Sequence, residues 1–317
     1  MKKIIMAATA AVSALALQAT VQSSNVVGYQ NDTTEKGYFK RFTATFQNVS
    51  GAVNKLGDIS VNEDFFQSIL QFSSKTGATK KFNLPGEGGT VDGQFQYWAD
   101  DAMYDIMDPD GDGVEIYGYS FPDNIAPGGW YVWGDDGKAY CMNDEEVPFG
   151  NGFMIDGVDT EGNPGICFSG EVAKEDVKLP LEKGYFTWGG NCMPVNYTLG
   201  DLTVNEDYFQ SILQFSSKSG ATKKFVLPGE GGTVDGQFQY WSAEAMYDIM
   251  DPDGDGVEIY GYSFPDNIAP GGWYVWGDDG MAYCMNAEPL AAGAGFCIDG
   301  VDTEGDPRVI IPAPLSK

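Results

Sequence analysis

The 317-residue chain sets 46 Asp and Glu against 18 Lys and Arg, a formal charge of -28, which makes nucleic acid and anionic lipid surfaces poor partners. It contains no histidine, which excludes Ser-His-Asp and Cys-His catalysis, histidine-ligated zinc and histidine pH switching. Aromatic residues make up 14% of the chain and glycine occurs 42 times, a balance that suits short strands joined by tight turns rather than long helices.

In chain order, Lys2 and Lys3 precede an apolar, alanine-rich stretch over 4–17, with Ala16 or Ala19 placed for cleavage. Residues 1–19 are therefore expected to be a signal peptide, which predicts a secreted or cell-surface protein. The apolar stretch is shorter than the roughly 20 residues a bilayer span needs, and no second one follows, so no integral membrane span is expected in the mature chain.

Residues 62–142 recur at 205–285 with seven substitutions in 81 positions, so one unit is written twice. The first copy is placed at 25–169 and the second at 183–317, with the charged stretch 170–182 as linker. Lys36-Gly37-Tyr38-Phe39 matches Lys183-Gly184-Tyr185-Phe186 at an offset of 147, whereas the central block matches at 143, so the second copy is four residues shorter after Phe186. Alternating or aromatic-rich runs predict strands at 38–46, 68–72, 80–84, 94–98, 114–119, 129–133, 138–142, 153–155 and 166–169. Gly134-Asp135-Asp136-Gly137 reads as a hairpin turn, and only 101–107 looks briefly helical. The expected fold is all-β, with two tandem duplicated β-sandwich-like or open-barrel domains.

The central block contains Asp108-x-Asp110-x-Asp112-Gly113-Val114, repeated as Asp251, Asp253, Asp255, Gly256 and Val257. Carboxylates at alternate positions before a glycine turn converge on one point, and the carbonyl of Val114 or Val257 adds a further oxygen. That suits Ca2+, which takes six to eight oxygens, better than Mg2+ or Mn2+. The competing reading is an acidic turn that binds nothing, but three unpartnered carboxylates so close repel one another. Asp105, Glu115, Asp248 and Glu258 are nearby carboxylates available to complete the shells.

Trp130-Tyr131-Val132-Trp133 and its repeat, 273–276, alternate rings across a strand. One face is core. The other offers Tyr131, Trp133, Tyr274 and Trp276 as platforms for sugar rings or a neighbouring protein, against the alternative of plain cross-strand packing. Carboxylate pairs such as Glu63 with Asp64 or Glu87 with Asp92 exist, but nothing singles one out for hydrolysis, and no catalytic residue is assigned. Five cysteines cannot all pair. Cys141 and Cys284 are equivalents, Cys167 stands apart, and Cys192 and Cys297, found only in the second copy, are the best candidates for a bridge.

The acidic loops resemble the first half of EF-hand, dockerin and thrombospondin type 3 calcium loops, although Tyr119 and Tyr262 stand where an EF-hand has its bidentate glutamate. The segment Asn25-Val26-Val27-Gly28-Tyr29, with the Lys-Gly-Tyr-Phe strand opening, resembles a group of bacterial secreted repeat proteins of uncharacterised function. That resemblance implies export, a β-rich fold and an extracellular or surface role. The expected function is a non-enzymatic, calcium-binding structural or adhesive one, with an extracellular polymer, a glycan or another surface protein as partner. The alternative is a carbohydrate-binding protein with one aromatic platform per copy.

Overall fold

A computed structural model describes residues 27–33, 35–48, 53–62, 65–73, 75–107, 113–157, 164–206, 208–216, 218–250, 256–300 and 305–314. Residues 1–19, the expected signal peptide, lie outside them, and among them no helix is long and apolar enough to cross a membrane. The fold is all-β, interrupted among the described residues only by the short α-helices Met103–Ile106 and Ala245–Ile249 and by two single 3-10 turns.

A six-stranded antiparallel sheet runs in spatial order Ala139–Cys141, Gly129–Trp133, Gln94–Trp98, Phe65–Gln71, Gly152–Asp156, Phe39–Thr43. The second half repeats it as Ala282–Cys284, Gly272–Trp276, Gln237–Trp241, Tyr208–Leu213, Gly295–Asp299, Phe186–Gly190. A three-stranded sheet accompanies each: Val27–Thr33, Gly165–Glu171, Ser60–Val61 in the first half and Val177–Pro180, Arg308–Ile311, Thr203–Val204 in the second.

Strand alternation sends every second side chain inward. Phe42, Ile69, Phe95, Trp130, Phe153 and Ile155 of the large sheet share one core with Val61, Ile166 and Phe168 of the small sheet. Burial of each such side chain stabilises by about 1.5–3 kcal/mol. The Trp130 indole N–H, fully enclosed, donates to Ile59 O at 2.8 Å, so its one polar atom costs nothing to bury. In the second half Trp273 makes the same bond to Leu202 O at 2.9 Å.

The strands at 94–98 and 129–133 and the hairpin at 134–137 lie where the sequence predicts them, the last closed by Gly134 N–H donating to Lys138 O at 2.8 Å. Two expectations are corrected. Residues 114–119 are not a strand: Gly118 takes a left-handed φ of 83°, and only Ile116 bridges to Ala139. Much of the stretch 170–182 is not linker. Glu171 ends one strand, and Val177–Pro180 pairs with Arg308–Ile311 as the counterpart of Val27–Thr33.

The halves meet at the inner edges of their large sheets. A Cβ built on Gly295 would sit 2.6 Å from Phe42 N and 2.7 Å from Arg41 C, and one on Gly152 would sit 2.9 Å from Gly189 N. Thr43 N–H donates to Gly293 O at 3.0 Å across the same boundary. Backbone thus touches backbone. Gly295→Ala is expected to lower stability by about 1–3 kcal/mol through this overlap, read as a lower denaturant midpoint. An unchanged midpoint would mean that the halves do not touch there.

Candidate functional site

The aspartates at 108, 110, 112, 251, 253 and 255 lie outside the described residues, but the frame that carries each loop is defined. Before the first loop, the helix Met103–Ile106 buries Met103, and Met107 follows it into the same apolar cluster. After the loop, Val114 packs against that cluster and Ile116 is buried in it. Val114 N–H donates to Ile106 O, and Val257 N–H donates to Ile249 O in the second half, so each loop is pinched shut at its base. Ala139 N–H donates to Glu115 O and Tyr117 N–H to Ala139 O, both at 2.8 Å, which ties the outgoing arm to the edge of the large sheet.

The nearby carboxylates are less available than their spacing implied. Glu115 pairs with Lys138 at 3.1 Å, although both are exposed and the pair is weak. Met281 replaces Lys138 in the second half, so Glu258 has no equivalent ion pair there. Asp105 sits exposed on its helix. Among the described residues no three carboxylates or thiols gather as a metal site.

The aromatic strand divides as alternation requires, but not as a paired platform. Tyr131 and Tyr274 are fully buried, and their proposed role as exposed rings is corrected. Met103, Met107, Ile116 and Ala126 cover that face, where Tyr131 also stacks on Trp98 at 4.8 Å and donates its hydroxyl to Pro127 O. Trp133 and Trp276, at the strand ends, remain 41% and 40% exposed. Each indole N–H donates at 2.9 Å, Trp133 to Gln96 Oε1 and Trp276 to Gln239 Oε1, and each ring meets Trp98 or Trp241 edge-on at 6.1 Å. The rings are held in place and stay partly exposed.

The two halves also enclose a cleft of about 850 Å3, with Lys80, Glu145 and Glu146 on one side and Tyr185, Thr187 and Trp188 on the other. Its counterpart of about 720 Å3 is lined by Gln214, Phe215 and Lys223. No sequence signal announced either cleft, because each wall comes from residues distant in the chain. Of the carboxylate pairs, Glu63 and Asp64 lie outside the described residues, Glu87 is exposed, and Asp92 pairs with Lys81 at 2.5 Å. Neither Glu87 nor Asp92 lines the cleft.

All five cysteines are free, so the expected bridge between Cys192 and Cys297 is corrected. Cys192 joins Phe296 and Ile298 in the second core. Cys297, between those two on the strand, points from the opposite face of the sheet. Burial pushes both thiols up to about 12.

No family model matches the chain, and no curated protein or solved structure matches it.

Buried hydroxyls give a pH signature. Burial, then the hydrogen bond to Asp136, pushes Tyr140 up to about 12, and Tyr283 with Asp279 behaves alike. Burial raises Tyr131 and Tyr274 further. Since a folded value above the unfolded one, about 10, means that the native state binds the proton more tightly, stability is complete below pH 10 and falls as pH rises towards 12. Tyrosinate absorbance should show Tyr131 and Tyr274 ionising only together with unfolding and Tyr140 and Tyr283 ionising late, at about pH 12; smooth native-state ionisation of all four at about pH 10 would contradict these environments.

Proposed function

We propose that the protein is an exported, non-enzymatic calcium-binding repeat protein with a structural or adhesive role at or beyond the cell surface. The observation that carries this reading is the doubled aspartate loop, pinched at its base by the same hydrogen bond and anchored in the same apolar cluster in both halves. Fixed ends limit the space available to the three carboxylates of the sequence motif, and a divalent cation would relieve the repulsion between them. The ion then stiffens the arm between helix and sheet edge.

An ion bound only by the folded state stabilises it by mass action, about 2.7 kcal/mol at a hundredfold excess over Kd. The mature protein should therefore melt higher in calcium than in chelator, and equal melting temperatures would sink the proposal. Calorimetry should give two sites per chain, falling to one in Asp110→Ala or Asp253→Ala and to none in the double variant. The sites are expected to be independent because their anchoring clusters are separate.

A second reading, glycan binding, is favoured by Trp133 and Trp276, two indoles that stay partly exposed in matching settings. Stacking of one sugar ring on each would give weak sites joined by avidity. Trp133→Ala with Trp276→Ala should abolish retention on a glycan array without changing calcium stoichiometry. Retention by the double variant would remove this reading.

A further inference from the structure

The seam between the halves has a pseudo-two-fold relation. Strand positions at the opening of the first half match residues 147 further on, and positions after the four-residue shortening match 143 further on. By that rule the close pair Gly152 and Gly189 maps onto Gly295 and Phe42, and both pairs bring backbones together. A Cβ on Gly77 would lie 3.0 Å from the Phe186 ring, and one on Gly220 would lie 3.3 Å from the Phe39 ring, again equivalent contacts. A surface that meets its own copy in this way is isologous, the kind that joins identical subunits.

One equivalent pair breaks the rule. Trp188 occupies in the second half the position that Arg41 occupies in the first. Trp188 stacks on Phe72 at 4.1 Å, and its counterpart Arg41 lies 4.6 Å from the centre of Phe215. Arg41 also lies 4.5 Å from Phe72 and 4.7 Å from Trp188, while Trp188 stacks on Phe215 at 5.5 Å. The four groups form one packed stack, in which a single cation faces three rings. Phe42 and Gly189 also differ across the seam, but there backbone is approached closely in both halves, whereas the exchange of Arg41 for Trp188 sets a cation against rings.

We propose that Arg41 and Trp188 are the pairing determinant of this seam: together they make the first-half surface specific for the second half and exclude a second first half. The cation is attracted to an indole face, and more so where water is excluded. Two first halves would instead place two guanidinium groups in one largely desolvated stack, where like charges repel and neither has a carboxylate partner. Two second halves would merely lose the attraction. The surface therefore selects a heterotypic partner, supplied in this chain through the short connection at 172–176. The pairing is independent of what the aspartate loops bind.

The test uses the mature full-length chain and three variants: Trp188→Arg, Arg41→Trp and the exchange Arg41→Trp with Trp188→Arg. Trp188→Arg puts two cations in the stack and should lower the melting temperature by roughly 5–10 °C. The exchange should recover most of that loss, together with the near-ultraviolet circular dichroism of the stacked rings, because each residue enters the equivalent environment of the other. Should Trp188→Arg fail to fold, a folded exchange variant melting close to the parent still supports the proposal. An exchange variant as damaged as Trp188→Arg, or a Trp188→Arg variant melting like the parent, overturns it.

Discussion

Across the seam one strand lies against the other without a side chain between them, and the glycines that allow this approach, Gly152 against Gly189 and Gly295 against Phe42 and Arg41, organise the molecule. Sheets that pack through side chains stand about 10 Å apart; here the inner edges of two six-stranded sheets come much closer. That approach brings Arg41 within reach of Phe72, Trp188 and Phe215 and sets the wall of the larger cleft beside Lys80 and Glu145. A β-carbon at Gly152 or Gly295 would overlap backbone of the other half and open the seam.

Alternation gives the large sheet two kinds of surface. One face supplies Phe42, Phe95, Trp130 and Phe153 to the core. On the other face, Arg41 lies at the seam, while at the far end Trp98 and Tyr131 support the frame of the aspartate loop. The same face thus joins the halves at one end and carries the loop frame at the other. The exposed indoles of Trp133 and Trp276 lie at the borders of those supporting clusters, through their edge contacts with Trp98 and Trp241.

The halves differ most where they meet, and the differences compensate. Gly189 stands where the first half has the core residue Phe42, and Leu179 comes close enough that a Cβ on Gly189 would lie 2.7 Å from it. Leu179 itself stands where the first half has Asp32, a nearly buried carboxylate that accepts from Gln30 and Lys40. The second core adds Cys192 and Met193 from the shortened segment. The first half fills this region with a polar network and the second with apolar volume.

The sequence by itself determined the all-β class, the internal repetition and the strands whose partners lie next in the chain. Gln94–Trp98 and Gly129–Trp133 were legible because alternation and a neighbouring turn are local signals. The aspartate loops were legible as spacing, and the structure supplies their pinched, apolar frame. Val27–Thr33, mostly polar, and Val177–Pro180, a four-residue stretch beside a charged run, were not legible as strands, and they are strands through pairing with Gly165–Glu171 and Arg308–Ile311. The burial of Tyr131, the separation of Cys192 from Cys297 by a sheet, and the stack around Arg41 were likewise decided by tertiary structure. Each depends on which distant segment covers a given face, and residue spacing records the direction of a side chain but not what is packed against it.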